Sequence, residues 1–276
     1  MSDKDNELVL CVKTSVLEKI IDDMGAVFFD SFCASDGSAE SAADMVIQSM
    51  DVMYRQTVEK VGSISGALMF DAESTLLMLP RSICEHDERF RQIIPYTILS
   101  YDEKYDGDWE LLSYWRGEAS SETRLHGNCS IGVGGHVNIL DVASGRDTRG
   151  LYDVIRCCRN REVQEEVALD WQTVVFPEEE CRFVGLIKDD TNEVGRVHLG
   201  LVYEHFLVSK NIAPREDALK TFEFMTVAKQ KTNYEFMEPW SQIVYRYLEQ
   251  EEKLRKIFLR RDSDEVDEGP DTDSSL

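Results

Sequence analysis

The sequence predicts an α/β domain, and three observations predict it. Strand-type runs such as LVLCV at Leu8–Val12 and CRFVGLI at Cys181–Ile187 share the chain with helix-type runs such as Ala42–Val61. A β-branched run punctuated by Gly132, Gly134 and Gly135 precedes a helical pattern over Tyr152–Val167. The 276 residues are 42% hydrophobic, enough to bury a sizeable core in one large domain or two small ones.

Taken in order, Leu8–Val12 alternates as a strand and Val16–Met24 reads as a short amphipathic helix. The small-residue stretch SFCASDGSAESA reads as an embellishment. A helical insertion at about 40–62 follows, its apolar stripe at Met45, Val46, Met50, Met53 and Tyr54. Ala67–Leu79 is apolar with one acidic interruption. Ile93–Ser100 and Trp109–Arg116 read as strands, separated by the Asp/Gly turn YDEKYDGD. CSIGVGGHVNIL reads as one glycine-punctuated strand. Cys181–Ile187 and Val197–Val208 read as strands joined by the polar turn KDDTNEVGR. Helices are expected at Arg215–Val227 and Trp240–Leu259.

This places a single domain at 1–261, with a sheet core over 66–210 and C-terminal helices over about 215–259. Residues 262–276 carry seven acidic and no basic side chains, and read as a disordered acidic tail. The chain shows no internal repeat.

Thirty basic residues against 53 acidic ones leave a net charge of −23. Such a field repels long nucleic acid and acidic membrane surfaces. A small anionic ligand remains compatible, because a bound cation and a few arginines reverse the sign inside one pocket. No apolar run approaches the roughly 20 residues of a membrane span. The N-terminus lacks signal-peptide architecture, and seven cysteines without a CxxC pair fit reduced thiols in a cytoplasm. Oligomeric state stays open, a homodimer included.

The chemistry concentrates in REVQEEV at Arg161–Val167. In a helix, Glu162, Glu165 and Glu166 share one face, so three carboxylates crowd together. Their repulsion is relieved by a divalent cation, and Mg²⁺ prefers hard oxygen ligands of this kind. By itself, the same pattern also describes a solvated acidic face.

The surrounding residues extend the pattern. The glycine pair, followed by a helix bearing R-E-x-x-E-E, resembles the Nudix box, G-x5-E-x7-R-E-U-x-E-E-x-G-U, with U a bulky aliphatic. Arg161, Glu162, Val163, Glu165, Glu166 and Leu169 match, while Ala168 stands where the pattern has Gly. Gly135 and Arg161 stand about a dozen residues further apart than the pattern, an insertion placed around LDVASGRDTRG. Counting back from Arg161, Asp153 takes the place of the first Glu. The blocks ERFRQIIPYTIL, ETRLHGNCSIGVGGHVN, DDTNEVGRVHLGLVYE and EFMEPWSQIV resemble a bacterial and phage branch of the MutT-like proteins labelled predicted phosphoesterases.

The resemblance implies a Nudix-type α/β/α sandwich around a mixed sheet. It implies Mg²⁺-dependent hydrolysis (with Mn²⁺ a substitute) of a phosphoanhydride bond in a nucleoside-diphosphate-linked or similar small phosphate compound. Glu162, Glu165 and Glu166 are then the metal ligands. Glu204 is the first candidate for a further catalytic carboxylate and Glu193 the second, with Glu165 or Glu204 taking a proton from water. Arg161 corresponds to the structural arginine of the box. Gly134, Gly135, Arg116 and Arg124 are candidates for binding the substrate, with His126 nearby. His136 and His198 are expected to make structural hydrogen bonds, since no His pair has zinc-site spacing. Trp240 is expected to anchor the C-terminal helix. The alternatives are a Nudix-fold ligand-binding protein without catalysis, an acidic interaction protein acting through its tail, and, more remotely, a Nudix-fold isomerase using His126 and Cys129.

Overall fold

The computed structural model describes residues 6–61, 75–102, 109–117, 127–144, 150–169, 181–215 and 219–267. The N-terminal alternation becomes β1 (Leu8–Lys13), and α1 (Thr14–Met24) follows directly. α1 ends at Gly25, whose φ of 65° lets its N–H reach back to the carbonyls of Ile21 and Asp22. β2 (Phe32–Ala34), α2 (Ala42–Val61), β3 (Leu76–Pro80) and the single turn α3 (Arg81–Cys84) come next. α2 spans the residues its periodicity predicts. Residues 67–74 of the predicted run before β3 lie outside the described residues.

The central elements are β4 (Phe90–Tyr101), β5 (Glu110–Arg116), β6 (Cys129–Ser130), β7 (Val133–Gly134), α4 (Ile139–Ser144) and α5 (Leu151–Glu166). β8 (Val167–Ala168), β9 (Cys181–Ile187), α6 (Glu193–Arg196), β10 (His198–Leu207) and β11 (Ala213–Pro214) follow. The chain closes with β12 (Leu219–Thr226), α7 (Val227–Gln230), a 3₁₀ turn over Lys231–Phe236 and α8 (Pro239–Asp267).

Among the described residues one sheet runs β12-β5-β4-β10-β9-β2, with β1 and β7 also on β4, β3 on β1 and β6 on β5. β4 and β10 are parallel, from Gln92 opposite His198 to Tyr101 opposite Leu207. The other pairings are antiparallel, so the sheet is mixed. Successive residues of a strand face opposite sides, and both sides are covered. Leu199, Leu201 and Tyr203 pack with Leu17, Met50 and Val154 from α1, α2 and α5. Val202 instead joins Tyr96, Ile98 and Val184 under Val244 and Leu248 of α8. The result is an α/β/α sandwich.

Four expectations are corrected. The segment Arg215–Val227, expected to be helical, forms β12 along β5. Leu219, Phe222 and Met225 recur every three residues, which imitates a helix face, but β5 offers an open edge and the β-branched and aromatic residues pair with it. The sheet therefore extends beyond 66–210 at both ends, through β1 and β2 before it and β12 after it. The glycine-rich run is two short strands, β6 and β7, separated at Ile131–Gly132. α8 continues to Asp267, past the expected start of the tail; residues 268–276 lie outside the described residues.

An ion pair ties β9 and β10 to α8. Glu204 is fully buried, and its Oε2 accepts from Arg182 Nε at 3.0 Å and Nη2 at 2.7 Å. Arg182 also donates to both carboxylate oxygens of Glu251, at 2.7 and 3.1 Å. Removing one partner of a buried pair leaves the other charge under-compensated. Glu204→Ala is therefore expected to lower the unfolding free energy by about 3 kcal/mol. A urea midpoint identical to wild type would overturn this assignment.

Candidate active site

α5 carries a stripe that changes chemistry along its length. Leu151, Val154, Ile155 and Cys158 follow the i, i+3, i+4 pattern into the core, and Glu162, Glu165 and Glu166 continue the same stripe. The carboxylates thus leave the helix on its sheet-facing side, where β7 ends and a cleft begins. Val163 and Val167 anchor this end in a separate cluster with Leu99, Tyr114 and Val133. The carbonyl of Glu166 accepts from Arg215 N at 2.8 Å, fixing the last turn.

The cleft has a volume of about 590 Å³. Glu162, Glu165 and Glu166 line one wall together with Gly134, Gly135, Arg116 and Arg161. Gly135 gives the Glu162 carboxyl its place: a Cβ there would fall 2.0 Å from the carboxyl carbon. Gly134 similarly approaches the Pro95 carbonyl, 2.9 Å from where its Cβ would stand.

Arg161 is the hub of this wall. Its Nε and Nη2 donate to the two oxygens of Asp141 at 2.9 and 2.8 Å, and Nη2 also reaches the His136 carbonyl at 3.0 Å. Nη1 donates to Glu162 at 2.6 Å and to Glu165 at 3.4 Å. Burial pushes the Glu162 carboxyl up to about 7; Arg161 opposes that rise, and the charges of Glu165 and Asp141 add to it. Glu165 is the most open of the three, with 55% of its side chain exposed against 16% for Glu162. Glu166 accepts from the Tyr114 hydroxyl at 3.3 Å.

Arg116 enters from β5. Its Nη2 lies 3.4 Å from the Tyr114 hydroxyl, and Nε lies 3.4 Å from Glu238 at the start of α8. Glu238 is itself held by Ser130 at 2.7 Å and by Tyr96 and Ser241, each at 3.2 Å. The opposite wall comes from α3, α6 and the start of β10, with Arg81, Glu85, Asp189, Asn192, Val194 and His198. Trp240 stands edge-on to Tyr96 and His198, at 6.0 and 6.4 Å between ring centroids. It lines the cleft as well as anchoring α8.

Comparison with known proteins places this arrangement. No family model matches the chain. Protein YmaB of Bacillus subtilis (strain 168) is 30% identical over 188 residues, covering 66% of this chain and 82% of that protein. The crystal structure of Tm1382, assigned as a Nudix hydrolase, is 25% identical with a TM-score of 0.58, covering 88% of this chain and 98% of that one. The chain belongs to the YmaB family and has the Nudix fold. A looser likeness, TM-score 0.41 at 12% identity, links it to a Nudix hydrolase from Alicyclobacillus acidocaldarius over 56% of this chain and 90% of that one.

In this YmaB relative the sequence-expected residues fall into three groups. Glu162, Glu165, Glu166, Gly134, Gly135, Arg116 and Arg161 meet at the cleft. Arg124, with His126, lies outside the described residues. Glu204 does not line the cleft: its place on β10 turns it toward α8, where Arg182 holds it, so it is corrected from catalytic candidate to buried structural carboxylate. Glu193, the second choice, is exposed on α6.

The box insertion also sits differently from expectation. Asp153 pairs with Arg156 on α5 and does not line the cleft. Asp141, six residues after Gly135, grips Arg161 instead. Counting forward from the glycine, as G-x5-E prescribes, lands on Asp141; the extra residues therefore follow it. Glu85, Asp189 and Glu238 were missed altogether, because they come from distant segments with no local spacing to mark them.

Two outcomes follow. Gly135→Ala leaves the melting temperature near wild type, since the clashing atoms end a flexible side chain, but a crystal structure of the variant shows the Glu162 carboxylate displaced. An unmoved carboxylate would refute the close-approach argument. For pH, the Glu162 carboxyl is raised from 4.5 to about 7 in the folded, metal-free protein. The unfolded chain therefore loses its proton first, and stability falls as pH rises through that window. Glu162→Gln removes this fall and is expected to raise stability at pH 8 by about 1–3 kcal/mol in chelator. Parallel pH profiles for the two proteins would contradict it.

Proposed function

We propose that this chain is a hydrolase of the Nudix type that splits a phosphoanhydride bond in a nucleoside-diphosphate-linked or similar small phosphate compound, with Mg²⁺ (Mn²⁺ as substitute) at Glu162, Glu165 and Glu166. The observation that carries the reading is the joint presence of three helix carboxylates, a glycine pair and Arg116 around one cleft. The likeness to Tm1382, assigned as a Nudix hydrolase, supports it.

The donor set fits a hard cation. Three carboxylates supply oxygen ligands, and Gly135 leaves the space that Glu162 needs. The carboxylates are not drawn into a tight cage, which suits an ion that keeps several waters. When bound, Mg²⁺ supplies charge neutralisation along the phosphate chain and acidifies water.

The protein's own groups do the rest. Glu165, open to the cleft, accepts the proton of the attacking water. Arg116, held by Glu238, donates to phosphate oxygens and offsets the acidity of the wall. Arg161 keeps Glu162 in place through Asp141 and the His136 carbonyl. The glycine pair leaves room for the Glu162 carboxyl and the Pro95 carbonyl at the edge of the cleft.

A second reading, ligand binding without hydrolysis, draws on Arg161, whose guanidinium already bridges Glu162 and Glu165. One experiment separates the two. Nucleotide sugars, dinucleoside polyphosphates and NAD-like compounds are screened with and without Mg²⁺, reading released phosphate after phosphatase coupling. Hydrolysis is expected only with the metal, and Glu165→Gln is expected to reduce turnover by about 10²–10⁴-fold while circular dichroism stays native. Near-normal turnover in that variant would overturn the mechanism, and a wholly silent screen would favour the binding protein.

A further inference from the structure

In the same cleft, three side chains from separate parts of the chain converge. Glu85 follows α3, His136 follows β7, and His198 opens β10; one ligand atom from each lies within 4.8 Å of the other two. The two imidazole Nε2 atoms are 3.4 Å apart. This is closer packing of potential ligands than the three carboxylates of α5 reach.

The hydrogen bonds behind these residues orient them for ligation. His198 Nδ1 lies 2.7 Å from the Val194 carbonyl, which can only accept, so Nδ1 carries the proton and Nε2 presents its lone pair. A backbone carbonyl on the far nitrogen is the usual support of a metal-bound imidazole. The His136 carbonyl is fixed by Arg161 at 3.0 Å, and Glu85 receives Arg81 Nε at 3.0 Å. The fully buried Gln92 places its amide Nε2 3.1 Å from His198 Nε2, while its Oε1 has no hydrogen-bond partner. A half-turn of that amide offers a fourth, oxygen donor at the same place.

From this we infer a second cation site, formed by Glu85, His136 and His198 and suited to a borderline first-row divalent ion such as Zn²⁺ rather than to Mg²⁺. Two imidazoles and one carboxylate match the donor set of open zinc sites, which keep a position for water or a ligand oxygen. His136 and His198 do make the hydrogen bonds expected of them, and the proposed site adds a ligand role to those. Convergence of segments up to 113 residues apart, not local spacing, creates it. Because Gly135 abuts Glu162 and His136 is the next residue, the proposed ion and the α5 carboxylates would share one cleft. A phosphate group entering the cleft would meet the proposed ion together with Arg116. The inference stands independently of whether the chain hydrolyses anything.

The test uses the full chain, stripped with a chelator, dialysed and titrated with Zn²⁺ by calorimetry, with bound metal counted by mass spectrometry. One Zn²⁺ per chain is expected for wild type and for Glu165→Gln. His136→Ala and Glu85→Gln are each expected to weaken binding by at least about tenfold. Glu85→Gln keeps size and shape, so it remains informative if His136→Ala misfolds. Three results would each overturn the site: no bound Zn²⁺ in folded wild type, unchanged affinity in both variants, or loss of the ion in Glu165→Gln. Catalytic silence with Zn²⁺ retained would sink the hydrolase reading and leave this one standing.

Discussion

The guanidinium of Arg161 is the constraint on which the site depends. Asp141 is 3% exposed and Glu162 16%, so two carboxylates sit close together where solvent reaches them poorly. Burying like charges without a partner is costly, and Arg161 offsets part of that cost with five donated bonds to Asp141, Glu162, Glu165 and the His136 carbonyl. Its planar fork matters because two of those bonds reach the two oxygens of one carboxylate, a geometry Lys does not reproduce. The same side chain joins α5 to the segment after β7, so the acidic helix and the glycine turn are held as one unit.

That unit is not optimised for stability. Where α5 leaves the core, its buried stripe continues as glutamates instead of apolar residues, and burial holds the Glu162 carboxyl up to about 7. A helix selected only for packing would keep Leu or Ile in those positions. Such a departure from packing logic, next to a cleft and with an identifiable cause, is what a functional site looks like in physical terms. The far wall obeys the same rule: His198 and Glu85 are polar groups placed where the sheet ends, with their orientation set by backbone carbonyls and neighbouring arginines.

Much of this was legible in residue spacing. α2 and α5 declare themselves through long amphipathic patterns, and REVQEEV sets three acids on one face whatever the rest of the chain does. β12 was not legible, because Leu219, Phe222 and Met225 suit a helix as well as a strand until β5 supplies an edge. Counting back from Arg161 pointed to Asp153; the three-dimensional path of the inserted residues puts Asp141 against Arg161 instead. Glu204 follows a strand in the expected register, but the alternation that puts Val202 against α8 puts Glu204 on that side as well, toward Arg182 and Glu251.

By itself, then, the sequence determined the local things: which segments are amphipathic, that three carboxylates share one turn of α5, and that glycines stand where a chain must pass close to something. Tertiary structure alone decided what that something is, which acid neutralises Arg161, and which of the distant polar residues reach the cleft. The physical reason is range. Helix and strand periodicity act over a few residues, whereas Glu85, His136, His198 and Glu238 become neighbours only when the sheet order and the two covering layers fold their segments together.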